Sequence, residues 1–191
     1  MPKVIWFTGL SGAGKTTIAE KLKARINGWC WCRISKIYTD ESTNARGYKK
    51  TAVAMILDGD KLRDGLNADL GFQMRDRDEN LRRSVHVARL FYDHGFTVLA
   101  TFITPLEAQR KYIRSCFPVD DYAEVFVDAP LVVCQKRDPK GLYAKVAAGE
   151  IKNFTGIDSI FESPKNADII LKTEEMTASE CVVRVFNKVF K

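Results

Sequence analysis

The sequence is poor in residues that hold metals or covalent frameworks. It has two histidines, His86 and His94, and five cysteines, Cys30, Cys32, Cys116, Cys134 and Cys181. An odd number at irregular spacing implies no disulfide framework, so ordinary reduced thiols are expected. Cys30-x-Cys32 could contribute to a metal site, but both histidines lie far from it in sequence. No apolar run approaches the ~20 residues of a membrane span, and the N-terminus carries no signal-peptide pattern. No membrane partner is therefore expected, and cytoplasmic residence follows as the default. A basic run with interleaved aromatics is missing too, which argues against nucleic acid as a partner. The net charge of +6 is explained instead by small polyanionic substrates. No N-K-x-D base-reading motif follows a strand, which disfavours a GTPase switch.

What is present fits a single domain. A chain of 191 residues with 46% hydrophobic content can bury a real core. Apolar strand candidates alternate with helical segments, at about 3–8, 52–57, 97–102, 124–127 and 168–171. That alternation predicts an α/β fold with a parallel sheet flanked by helices. Leu81, Val85, Ala88 and Phe91 mark one face of a helix that ends before Gly95. The last helix opens on the capping box Thr177-Ala178-Ser179-Glu180 and should bury Cys181, Val182, Val185, Phe186 and Val189. Ligands in such sheets bind at the carboxyl ends of the strands, so residues just after each strand carry most weight.

Residues 9–16 read GLSGAGKT, a complete match to the phosphate-binding pattern G-x-x-x-x-G-K-[ST]. An apolar run, Val4-Ile5-Trp6-Phe7, precedes it, and Ile18, Leu22 and Ile26 follow at helical spacing. Strand, glycine loop and helix start let backbone N–H groups converge on a polyphosphate at the positive end of the helix. Gly9, Gly12 and Gly14 permit backbone shapes that a Cβ would hinder, and Ser11, Ala13 and Thr17 complete the cradle. Lys15 would reach the β and γ phosphates, and the Thr16 hydroxyl would ligate Mg²⁺. The pattern implies ATP or a related nucleoside triphosphate.

Asp58-Gly59-Asp60 follows the second strand. Two carboxylates there could hold the Mg²⁺ shell and orient an attacking hydroxyl, although Asp-Gly alone also suits a solvated turn. Arg63 and the run 76–83 supply arginines suited to a bidentate grip on phosphate or sulfate, or simply a solvated helix start. Two segments break the alternation. Residues 28–50 are polar and mixed; a surface excursion, a small hairpin or an interface would each fit. Residues 139–164 are rich in Gly and Lys, as a mobile lid over a phosphate site would be, or an ordinary loop.

GLSGAGKTT, LDGD, LGF, DRDENLRR, RDPKGLY and GEIKNFTGID, in this order, closely resemble the adenylylsulfate kinase family from about Val4 to Glu162. The resemblance implies a phosphate-loop kinase fold over residues 1–191, with a parallel sheet and a lid. It also implies transfer of the γ-phosphoryl group of ATP to the 3′-hydroxyl of adenylyl sulfate, with Mg²⁺. By the same resemblance, Phe72 and Phe154 sandwich the substrate adenine. Arg63, Arg77 and Asn80 hold phosphosulfate and ribose, joined by Lys140, Ile103, Leu142 and Thr155. Arg137 packs on the ATP adenine. Asp60 is assigned to the 3′-hydroxyl and Asp58 to the metal shell, with Lys15 and Thr104 also catalytic. A homodimer is implied as well. Three departures stand out. Lys61 replaces the usual asparagine after DGD, Thr104 replaces the serine of an I-S-P turn, and residues 28–50 exceed the usual link. Lys61 would suit a more negatively charged acceptor. A related kinase acting on another nucleotide, such as a cytidine diphosphoramidate, is therefore the second reading, and a non-catalytic nucleotide-binding module the third.

Overall fold

The computed structural model describes residues 3–37 and 53–190, with the helix course alone for residues 29–37. Five strands form one parallel sheet: β1 (Val4–Thr8), β2 (Ala54–Asp58), β3 (Thr97–Thr101), β4 (Tyr122–Asp128) and β5 (Ile169–Lys172), in the order β2-β3-β1-β4-β5. The register places Phe7 beside Thr101 on one side and Val125 on the other. Each strand falls within two or three residues of its sequence-based position; Ala52, expected to begin β2, lies outside the described residues.

β1 is buried at every position because helices cover both faces of the sheet. One core layer joins Ile5, Phe7, Leu99, Val125 and Val127 to Ile18, Leu22 and Ile26 of α1 (Lys15–Ile37), and to Cys181, Val182 and Val185 of α7 (Ala178–Phe190). The other joins Val4, Trp6, Val98 and Ala100 to Leu81, Val85 and Ala88 of α3 (Met74–Asp93) and Ile113 of α4 (Glu107–Ser115). Alternate residues of one strand thus feed opposite layers, as the two-residue strand period requires. The capping box at the start of α7 is formed. Glu180 Oε2 accepts from Thr177 N–H at 2.8 Å, and Thr177 Oγ1 accepts from Glu180 N–H at 3.3 Å.

Helix α1 runs on past the point where sequence reading places a break. Residues 28–37 of the expected excursion continue it; residues 38–50 lie outside the described residues. A single glycine costs a helix interior only about 1 kcal/mol, and Gly28 is followed by no proline. Three turns already anchored on the sheet can therefore propagate through it. The side chains of Cys30 and Cys32 are not among the described residues, and no group of metal-ligating side chains occurs among those that are. No helix among the described residues is long and apolar enough to cross a membrane.

Candidate active site

A cavity of about 890 Å³ opens at the carboxyl ends of the strands. Its floor is the loop between β1 and α1. Gly9 takes φ 141°, and a Cβ there would lie 2.4 Å from the Val127 carbonyl oxygen. Gly12 takes φ 75°, with the Cys134 carbonyl 2.9 Å from any added Cβ. Only glycine gives the loop this path between β4 and α5 (Leu131–Arg137).

Lys15 Nζ donates to the carbonyls of Gly9 (2.9 Å) and Leu10 (2.7 Å). Burial pushes its pKa down to about 8, with Lys140 adding repulsion, while Asp60 and Asp58 pull the other way. The ammonium therefore lacks a counter-anion strong enough to offset its desolvation.

Asp58 ends β2 and caps the short helix α2 (Gly59–Arg63), its Oδ1 accepting from Asp60 N–H at 3.0 Å. Its Oδ2 accepts from Thr16 Oγ1 and Thr101 Oγ1, both at 2.8 Å. Burial opposes the charged form, but the Thr101, Thr16 and backbone hydrogen bonds outweigh it and hold the carboxyl below its ordinary range. Asp60 is exposed and ion-paired with Lys140. Thr16 and the ionised Asp58 together form the hard-oxygen donor set that Mg²⁺ prefers.

The opposite wall is cationic and aromatic. The Arg63 guanidinium lies 4.6 Å from the centroid of Phe72, and donates to the Leu70 and Gly71 carbonyls at 3.1 Å. Arg77 donates to the carbonyls of Phe72 (3.0 Å) and Asn153 and to Thr155 Oγ1 (2.5 Å). Burial lowers the pKa of both arginines, and Arg63 further lowers that of Arg77. Neither makes an ion pair among the described residues. Two half-buried guanidinium groups side by side, bonded only to neutral oxygens, form a site that an anion would complete.

The segment after α6 (Leu142–Ala147) folds back over the loop. Phe154 meets Tyr143 edge-on, with centroids 5.0 Å apart, and Tyr143 donates to the Ser11 carbonyl at 3.0 Å. Gly156, at φ 92°, lets the chain pass Leu10, whose Cδ2 would be 2.8 Å from a Cβ.

Thus Ser11, Gly12, Ala13, Gly14, Lys15, Thr16, Thr17, Asp58, Asp60, Arg63, Phe72, Arg77, Asn80, Ile103, Thr104, Arg137, Lys140, Leu142, Phe154 and Thr155 all line one cavity. Gly9 does not line it and acts through its carbonyl and its φ. Three placements refine the sequence reading. Asn80 is buried, with Oδ1 accepting from Asn67 Nδ2 at 2.7 Å. Arg82 and Arg83 face away from the cavity, paired with Glu79 and, for Arg83, Asp69. Lys61 is exposed and absent from the lining, so it cannot neutralise an acceptor there: on a one-turn helix whose neighbours Asp60 and Arg63 face inward, it points out.

The comparisons agree with this geometry. The family model for adenylylsulphate kinase matches residues 1–46 and 40–172. The chain belongs to the adenylylsulphate kinase family. It is 46% identical to the adenylyl-sulfate kinase of Marinobacter nauticus over 181 residues, 95% of this chain and 80% of that protein. It is 49% identical to the adenylyl-sulfate kinase of Aeromonas salmonicida over 170 residues, 89% of this chain and 76% of that one. Among solved structures it resembles the Mycobacterium tuberculosis APS kinase CysC in complex with AMPPNP and APS. The TM-score there is 0.83, with 43% identity, over 100% of this chain and 98% of the other. The fold is accordingly that of the phosphate-loop kinases.

Within this family member, sequence reading missed several residues that shape the site. Thr101 holds Asp58, and Thr173 donates to the Ala13 carbonyl and accepts from Arg137, both at 3.0 Å. Thr101 closes β3 and Thr173 follows β5, so the strand-end rule could have found both. Trp6 and Asn67 carry no such signal, because an apolar strand and a polar loop account for them in sequence.

Proposed function

We propose that this protein transfers the γ-phosphoryl group of ATP to the 3′-hydroxyl of adenylyl sulfate, giving 3′-phosphoadenylyl sulfate and ADP. The observation that carries this reading is the pair of half-buried guanidinium groups, Arg63 and Arg77, beside Phe72 on a cavity shared with the phosphate loop. A phosphate loop alone fits any nucleotide kinase, whereas cations that form no ion pair among the described residues, beside an aromatic ring, suit an anionic, base-bearing acceptor. The substrates of the family, and the ligands named for the Mycobacterium tuberculosis structure, support the same assignment.

Each group has a physical task in this reading. The loop amides and Lys15 hold the polyphosphate and neutralise charge on the transferring group. Thr16 and Asp58 would hold Mg²⁺, which supplies further charge neutralisation on the phosphates. Asp60 accepts the proton of the 3′-hydroxyl, which requires Lys140 to leave it as the acceptor arrives. Arg63 already covers one face of Phe72, leaving the other for adenine, with Phe154 completing the sandwich. Arg137, held by Thr173, faces the ATP adenine. The 139–164 segment closes over both substrates and excludes water, which would otherwise hydrolyse ATP. A homodimer in the cytoplasm completes the reading.

Measured by coupled ADP release with a panel of acceptors, adenylyl sulfate should be turned over best, ahead of AMP, which gives the arginines no sulfate. Phe154→Ala removes a ring worth about 1–3 kcal/mol of stacking. It should therefore raise the acceptor KM about ten-fold or more, with a smaller effect on ATP. Efficient turnover of a cytidine acceptor with none of adenylyl sulfate would keep the kinase class and withdraw the substrate. ATP binding without turnover of any acceptor would leave a binding module.

ATP affinity should also depend on pH through Lys15. Bound polyphosphate favours the ammonium, so the Lys15 pKa rises from about 8 on binding. Below pH 8 both states are protonated and this group adds no slope. Above it, binding takes up a proton, and affinity should fall by up to about ten-fold per pH unit. Calorimetric titrations from neutral to alkaline pH check this; an affinity that is flat or rises with pH would contradict it.

A further inference from the structure

The acceptor wall contains the turn Ile103-Thr104-Pro105, which lines the cavity yet is tied down from the core side. Thr104 adopts φ 45°, a left-handed conformation unusual for a β-branched residue, so its surroundings must hold it there. Thr8 Oγ1 donates to the Ile103 carbonyl at 2.7 Å and the Thr104 carbonyl at 3.3 Å. The Ile103 carbonyl also accepts from the N–H of Gly9, at 3.3 Å. Arg110 Nη1 donates to the Thr104 carbonyl at 3.0 Å, and its own charge is met by buried Glu124 at 3.4 Å. The turn is therefore fixed in register with the phosphate loop through shared backbone atoms.

The remaining tie acts on the side chain. Trp6 is fully buried in β1, its ring stacked on Phe102 with centroids 4.9 Å apart. Its Nε1 donates to Thr104 Oγ1 at 3.0 Å. An indole N–H can only donate, so Thr104 Oγ1 is the acceptor in that bond. The hydroxyl proton must then point elsewhere, and among the described residues no protein acceptor takes it.

We propose that Trp6 is a positioning residue for the acceptor substrate. By using Thr104 Oγ1 as an acceptor, it turns that hydroxyl into a donor directed at an anionic or hydroxyl oxygen of the acceptor, and it holds the left-handed turn against the phosphate loop. This inference rests on the functional reading above. Threonine serves here as serine would, since the added methyl leaves the indole bond intact.

Trp6→Phe keeps an aromatic ring on Phe102 and removes the indole N–H together with two ring carbons, so a general packing loss accompanies the lost bond and the acceptor-specific readout separates the two. With adenylyl sulfate as acceptor, its kcat/KM should fall about five- to ten-fold, the loss typical of one buried hydrogen bond. The KM for ATP should stay within about two-fold, because the phosphate loop is untouched. Thr104→Val should show a comparable acceptor-specific loss, Thr104→Ser should retain near-normal kcat/KM, and the Trp6→Phe/Thr104→Val double variant should be no worse than Thr104→Val alone. Losses shared equally by ATP and acceptor, or additive losses in the double variant, would reduce Trp6 to a packing role and overturn the proposal. If Trp6→Phe does not fold, the Thr104 pair decides: equal activity of the Val and Ser variants overturns it. Failure of the unsubstituted protein to turn over adenylyl sulfate is a separate result, which removes the functional reading first.

Discussion

Lys15→Ala should abolish turnover while leaving the fold intact. The side chain is held over the loop by the Gly9 and Leu10 carbonyls, and burial already depresses its pKa to about 8. In the resting protein those two carbonyls are its hydrogen-bond partners, set against the cost of burying the charge. Its desolvation is offset only when phosphate oxygens arrive, so its interaction grows as charge shifts on the transferring group. The loss in kcat should be on the order of 10²-fold or more. Thermal unfolding should be unchanged or slightly improved, since a poorly solvated charge has been removed. The informative measurement pairs kcat from coupled ADP release with the Tm of the same preparation. A folded variant with near-normal kcat would take the phosphate loop out of the mechanism.

Asp60→Asn should lower kcat about 10²–10⁴-fold, the usual cost of losing a general base, with ATP affinity within a few-fold of normal. The two carboxylates of the DGD turn occupy very different settings. Asp58 is buried, ionised and fully engaged by Thr16, Thr101 and two backbone N–H groups. Such a carboxylate is a poor proton acceptor and a good cation ligand. Asp60 is exposed in the cavity and, among the described residues, its one ion-pair partner is the half-exposed Lys140, so an arriving hydroxyl can displace that lysine and reach it. Asp58→Asn should accordingly raise the Mg²⁺ requirement more than it changes the response to acceptor concentration. If Asp60→Asn instead shifts only the Mg²⁺ requirement, the two roles are exchanged.

Much of this was legible in one dimension because the signals are local. The GLSGAGKT loop needs glycines at fixed offsets, and Gly9 and Gly12 do take positive φ against the Val127 and Cys134 carbonyls. Strand β1 shows its burial as a continuous apolar run, and α7 shows its start in the Thr177–Glu180 box. Family motifs brought together Arg63, Phe72 and Arg77 with Phe154, which is distant from them in the chain and shares their cavity.

Other features depended on what the fold sets opposite a residue. Sequence pattern alone ended α1 near Gly28, but the helix passes through, because packing on the sheet exceeds the small cost of one glycine. Lys61 sits between two inward-facing residues in sequence, yet helix geometry turns it to solvent. Trp6 reads as one more apolar residue of a buried strand; only its position beneath Thr104 makes its N–H a directing group. The chain by itself determined the chemistry of the nucleotide loop, the positions of the strands along it and the family, because these rest on local backbone needs and on motif spacing. The tertiary structure decided which carboxylate is exposed, which arginines form no ion pair among the described residues, and which way the Thr104 hydroxyl can donate, because burial and hydrogen-bond direction arise only between segments distant in sequence.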